Sequence, residues 1–143
     1  MARGIPAEVV RHFQSIPLFG SLTKGELRSV VKAAGEVDEP AGKTLVREGD
    51  PGREMFVLSS GTASVTRGGR KLKDLGAGDF FGELALLTNA PRSATVTATS
   101  DVRLFVLSAR DVHALLQDNP RMAVGMLSAV ATRLRENERS VLS

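Results

Sequence analysis

Between Gly35 and Leu107 a turn-forming cluster recurs every few residues, and this constrains the fold more than any other feature of the chain. Pro40-Ala41-Gly42, Gly49-Asp50-Pro51-Gly52, Gly61, Gly68-Gly69 and Gly76-Ala77-Gly78-Asp79 leave no room between them for helices of ordinary length. The intervening runs, 44–47, 55–59, 62–67 and 70–75, are rich in Val, Leu, Thr and Phe, or alternate. In 62–67, Ala63 and Val65 alternate with Thr62, Ser64 and Thr66, the period of a half-buried strand. Gly68-Gly69 between two runs predicts a tight hairpin. Two further runs predict strands. Residues 93–99 alternate Ala94, Val96 and Ala98 with Thr95, Thr97 and Thr99, whereas 102–107 is almost wholly apolar and reads as a core strand. Evenly spaced short strands with glycine turns predict a barrel, roll or sandwich.

The flanks read differently. Val9, Val10 and Phe13 sit at helical spacing before Pro17 and Gly20 break the pattern. Thr23-Lys24-Gly25-Glu26 has the form of a capping box, followed by an apolar face of Leu27, Val30, Val31 and Ala34, with Gly35 as the expected stop. At the other end, Ser108 predicts a helix cap ahead of Val112, Leu115 and Leu116. Asn119-Pro120 predicts a new start, followed by an apolar stripe of Met122 or Ala123, Met126 or Leu127, Val130 and Leu134. Runs of strands bracketed by helices predict an α+β chain. It reads as one domain over 1–143: a helical lead-in over 1–35, a β-roll over 36–107 and C-terminal helices over 108–143.

Composition narrows the function classes. With 42% hydrophobic and 24% charged residues, the chain can build a core without staples. Cysteine is absent, which excludes disulfides, thiolate zinc sites and a cysteine nucleophile. The net charge of +3 is interspersed rather than clustered, and Trp and Tyr are absent, so a nucleic-acid surface is not expected and no DNA-binding motif is found. No apolar run reaches membrane-span length, and the first ten residues lack a signal-peptide core, so a cytoplasmic protein is expected. His12 and His113 have no partner at ligand spacing, so no metal site is expected. No triphosphate loop, metal cluster or acid/base pair marks an enzyme.

The constellation that carries chemistry is Gly82-Glu83-Leu84-Ala85-Leu86-Leu87, with Pro91-Arg92-Ser93 after a turn at Asn89-Ala90. Glu83 to Leu87 are good helix formers, so one helical turn is expected, with its first amides free to receive an anion. Gly82 lets a ligand approach the backbone. Arg92 lies nine positions after Glu83 and can fold back over that turn, where its fork suits two phosphate oxygens. A carboxylate beside an anion site is anomalous unless the ligand also carries a hydroxyl. Glu83 can accept from a sugar hydroxyl while Arg92 offsets its charge. Taken alone, however, Glu83 and Arg92 form no more than a structural ion pair.

Phe80-Phe81-Gly82-Glu83-Leu84-Ala85-Leu86-Leu87 followed by Pro91-Arg92-Ser93-Ala94-Thr95-Val96 resembles the phosphate-binding cassette of the cyclic-nucleotide-binding family. That family includes kinase regulatory subunits, gated channels and catabolite-activator-type regulators. The resemblance covers nearly the whole chain and implies a β-roll, a double-stranded jelly-roll-like barrel, flanked by helices. It implies that Glu83 holds the ribose 2′-OH and Arg92 the phosphate, with the backbone of Gly82, Leu84 and Ala85, and Ser93 and Ala94, beside them. It implies cAMP or cGMP as ligand. Ser93 after the Arg can favour cGMP through the guanine amino group, but many bacterial cAMP binders resemble this sequence there, and cAMP is the first expectation. It further implies a regulatory rather than catalytic role and movement of the C-terminal helices, through which a homodimer or an effector domain would be engaged. The alternatives are the sensor half of a transcription regulator and a partner-binding domain that no longer takes nucleotide.

Overall fold

A computed structural model describes residues 5–142, and within them the side chains other than those at 84, 133, 134 and 136–142. Eight strands form two antiparallel four-stranded sheets. The first has the order β1 (Gly35–Glu39), β8 (Val102–Ser108), β3 (Glu54–Ser60), β6 (Phe80–Phe81). The second has the order β2 (Thr44–Val46), β7 (Thr95–Ala98), β4 (Ala63–Arg67), β5 (Arg70–Leu75). The sheets face one another as an open roll and do not close into a barrel, so β1 and β6, and β2 and β5, remain edges.

The pattern of burial follows the sequence. On β4, Ala63 and Val65 are buried between the sheets with Leu58, Val96, Leu104 and Phe81. The strand β8 is apolar on both faces because both are covered. Val102 and Leu104 face the second sheet, while Phe105 and Leu107 join a separate helical core. The hairpin between β4 and β5 turns on two residues, Gly68 and Gly69, with φ of 57° and 80° and Arg67 opposite Arg70. Positive φ at both positions is the type I′ geometry that matches strand twist.

The helical layer comprises α1 (Ala7–Gln14), a 3₁₀ turn (Pro17–Phe19), α2 (Lys24–Ala33), α3 (Ala109–Asp118) and α4 (Pro120–Leu142). Phe13 anchors α1, with its ring 6.3 Å from that of Phe19 and edge-on to Phe105 at 5.7 Å. The capping box forms as expected: Thr23 Oγ1 accepts from the Glu26 amide at 3.1 Å, and Glu26 Oε1 accepts from the Thr23 amide at 2.9 Å. Thr23→Ala is expected to lower stability by about 1 kcal/mol, read from the urea midpoint at unchanged slope. Ser108 likewise caps α3 by accepting from the Asp111 amide at 3.1 Å.

One expectation needs correction here, one strand was missed, and one open choice is settled. Gly35 does not stop α2 in a left-handed cap; Ala34 is already extended and Gly35 opens β1. That strand was not anticipated. Its residues, Gly-Glu-Val-Asp-Glu, are polar because it is an edge strand, paired only to β8. Arg103 on β8 binds Asp38 across the pair at 2.9 Å and holds its carboxyl below the usual range. Of the stripe on α4, the structure chooses Met122 and Met126 for the core; Leu127 is exposed, and Leu134 lies outside the described side chains. The Asn119 side chain donates to the Leu115 carbonyl at 3.1 Å, closing α3. Among the described residues no helix is long and apolar enough to cross a membrane.

Candidate nucleotide site

β6 is followed by Gly82, whose φ of 78° swings the chain into a 3₁₀ turn over Glu83–Leu86. The expected helical turn is therefore present in a tighter form. A loop then returns the chain through Arg92 to β7.

Arg92 is fixed at both ends. Its amide donates to the Asp50 carbonyl and its carbonyl accepts from the Gly49 amide, each at 2.9 Å. Its Nη1 donates to the Glu54 carbonyl at 2.8 Å, and the guanidinium lies 5.8 Å from the centroid of the Phe56 ring. Phe56 stacks on Phe81 at 5.0 Å. A Cβ on Gly82 would lie 2.7 Å from Arg92 Nη1 and 2.9 Å from the Glu54 carbonyl oxygen, and one on Gly52 would collide with the guanidinium itself. The cation thus occupies a slot between two glycines. Burial pushes its pKa below the ordinary value and nearby Glu54 partly offsets this. Arginine starts so far above neutrality that the group stays charged.

The slot opens on a cavity of about 470 Å³, within the range of small-molecule sites. Gly82, Glu83, Arg92, Ser93 and Ala94 line it from the cassette, and Val46, Val65, Leu75 and Val96 give it apolar walls. Arg67, Leu72 and Lys73 of the β4–β5 hairpin complete the rim. A guanidinium, a carboxylate and an apolar wall in one space suit a ligand with an anionic group, a hydroxyl and a flat apolar body. A depression of similar size, about 500 Å³, lies beside β1 and β8, but it is lined by Asp38, Asp101 and Arg103 and holds nothing of the cassette.

Five of the seven expected site residues therefore meet in one cavity. Ala85 does not line it; its amide donates to the Gly82 carbonyl at 3.1 Å and its side chain is buried. The side chain of Leu84 lies outside the described residues. His12 packs over Gly78 rather than joining a ligand set. Sequence reasoning missed Gly52, Phe56 and Arg67. Gly52 was legible only as part of a turn, and the other two gain their roles from neighbours more than twenty positions away.

Comparison with known proteins bears on this geometry. A family profile described as the cyclic nucleotide-binding domain matches residues 36–119. A cAMP-dependent protein kinase regulatory subunit from Hypocrea atroviridis is 42% identical over 104 residues, covering 72% of this chain and 22% of that protein. The chain thus spans about a fifth of that relative's length. Among solved structures, the N-terminal domain of a Streptomyces coelicolor transcriptional regulator superposes with a TM-score of 0.82 at 33% identity, covering 90% of this chain and 93% of that one. The regulatory domain of Toxoplasma gondii PKA, crystallised with cAMP, gives 0.71 at 38% identity, covering 78% and 44%. With the profile spanning more than half of its length and the cassette folded around Arg92, the chain belongs to the cyclic nucleotide-binding domain family.

Proposed function

We propose that the chain is a sensor that captures a cyclic nucleotide, cAMP before cGMP, and passes that event to its C-terminal helices. The observation that carries this reading is that Arg92 and Glu83 line one apolar-walled cavity. In this reading Arg92 takes the two exocyclic oxygens of the cyclic phosphate, and Glu83 accepts from the ribose 2′-OH. The Gly82 backbone, with Leu84 and Ala94, closes around the phosphate, Ser93 stands between phosphate and base, and Val65, Leu75 and Val96 face the purine. The cAMP-bound relative from Toxoplasma gondii supports cAMP as the first choice.

Coupling to the helices is supported by Leu86. It belongs to the cassette turn yet is buried in the same core as Val112 of α3 and Met122 and Met126 of α4. A shift of the cassette on ligand capture moves Leu86 against those helices. Capture then biases the helices only by the ligand's differential affinity for their two arrangements. Val124 and Leu127, each 71% exposed on α4, offer a surface to a second copy or an effector domain. The Streptomyces coelicolor neighbour, the N-terminal domain of a transcriptional regulator, supports the sensor of a transcription regulator as the second reading.

The test is a calorimetric titration with cAMP, cGMP and AMP. Cyclic nucleotide binds, and AMP, with its extra charge and bulk, does not; AMP binding as well as cAMP overturns the reading. Glu83→Ala is expected to weaken cAMP by about 10-fold or more, since a bond to a charged acceptor is lost. The same substitution leaves affinity for 2′-deoxy-cAMP nearly unchanged. Equal losses for the two ligands would reassign Glu83.

A further inference from the structure

We infer that Arg67 is a positioning residue: through the Ser93 carbonyl it sets the part of the cavity wall that separates guanine from adenine. This inference rests on the cyclic-nucleotide reading of the site.

Arg67 ends β4, beside the hairpin tip, and its Nε donates to the Ser93 carbonyl at 2.8 Å. Ser93 and Ala94 lie between two fixed points. On one side Arg92 is bonded through its backbone to Gly49 and Asp50. On the other, Thr95 opens β7 and its Oγ1 accepts from the Glu48 amide at 2.9 Å. Among the described residues no other hydrogen bond reaches Ser93, so Arg67 supplies its one polar restraint. The hairpin that carries Arg67 is itself tied down, because Glu48 Oε1 accepts from the Gly68 amide at 3.0 Å. Glu48, Gly68, Arg67, Ser93 and Thr95 thus close a ring around the cassette's exit, and Ser93 and Arg67 both line the cavity.

The chemistry of the two purines makes this restraint selective. Guanine carries a 2-amino donor that adenine lacks, and the Ser93 hydroxyl is an acceptor for it. Whether the hydroxyl meets that amino group depends on where the Ser93 backbone is held. A cation at the rim acting only by its charge would favour both nucleotides alike, because each carries one phosphate charge. The cGMP-to-cAMP affinity ratio therefore separates positioning from simple electrostatics.

The experiment titrates cAMP and cGMP into the full chain and into Arg67→Met, Arg67→Lys, Ser93→Ala and the Arg67→Met/Ser93→Ala double variant. Thermal melts check that each folds. Arg67→Met keeps the aliphatic stem and loses the donor; it is expected to weaken cGMP relative to cAMP by roughly threefold to tenfold, the loss of one hydrogen bond. Ser93→Ala moves the ratio in the same direction, the double variant goes no further than Ser93→Ala, and Arg67→Lys restores the ratio. Equal weakening of both nucleotides by Arg67→Met, an unmoved ratio, or full additivity with Ser93→Ala overturns the inference while leaving nucleotide capture intact. Absence of binding by the unaltered chain overturns capture itself, and the inference with it.

Discussion

Arg92→Ala is expected to weaken cAMP binding by about 10- to 150-fold, the equivalent of roughly 1.5–3 kcal/mol for a charge-assisted hydrogen bond. The side chain is already held in place at the cavity. Backbone bonds to Gly49 and Asp50 fix its Cα, while the Glu54 carbonyl and the Phe56 ring hold its head. Little ordering is left to be done on binding, so little of the lost interaction is refunded when the side chain is removed. Arg92→Lys keeps the charge without the fork and is expected to fall between the two. Isothermal titration reads the effect, and unchanged affinity in Arg92→Ala would remove Arg92 from the site. Because the guanidinium stays charged despite the downward pull of burial, Arg92 itself adds no pH dependence to binding across the neutral range.

The second large effect is expected at the glycines of the slot, and the two should behave differently. Gly82→Ala meets two obstacles. Its φ of 78° disfavours any side chain by about 1–2 kcal/mol, and the new methyl would press on both Arg92 Nη1 and the Glu54 carbonyl. Denaturation in urea should show that loss of stability, together with at least a tenfold loss of cAMP affinity by roughly the argument made for Arg92. Gly52→Ala has no such backbone strain; the three atoms nearest its methyl all belong to the guanidinium, the far end of a flexible side chain. It should melt like the unaltered chain yet bind cAMP more weakly. Normal binding by Gly52→Ala would show that the slot does not set the position of Arg92.

Much of the roll could be read from local chemistry. The Gly68-Gly69 pair needed only its own positive φ values to define a hairpin, and the Thr23-Glu26 box depends on four consecutive residues. Both rules act over short range and hold whatever surrounds them. β1 escaped because an exposed edge strand has no inward face to print alternation on its sequence. Its strand character comes from pairing with β8, a partner some seventy positions away. Ala85 illustrates the same limit in the site. A helical turn was predicted correctly at Glu83–Leu86, but whether a given amide is free depends on the pitch of that turn. The slot around Arg92 was out of reach for a related reason. Gly52, Glu54 and Phe56 contribute space, a carbonyl and a ring face, and none of these leaves a recognisable mark in sequence.

Leu86 places the cassette turn and α4 in a single hydrophobic core, and thermodynamic reciprocity gives that burial a meaning for whatever is attached to the helix. If nucleotide changes the affinity of α4 for a partner by some factor, that partner changes the affinity for nucleotide by the same factor. The apparent dissociation constant for cAMP is then a property of the assembled protein. The sensitivity of the same 143 residues to second messenger would be retuned by each effector joined to them, with no substitution in the cavity.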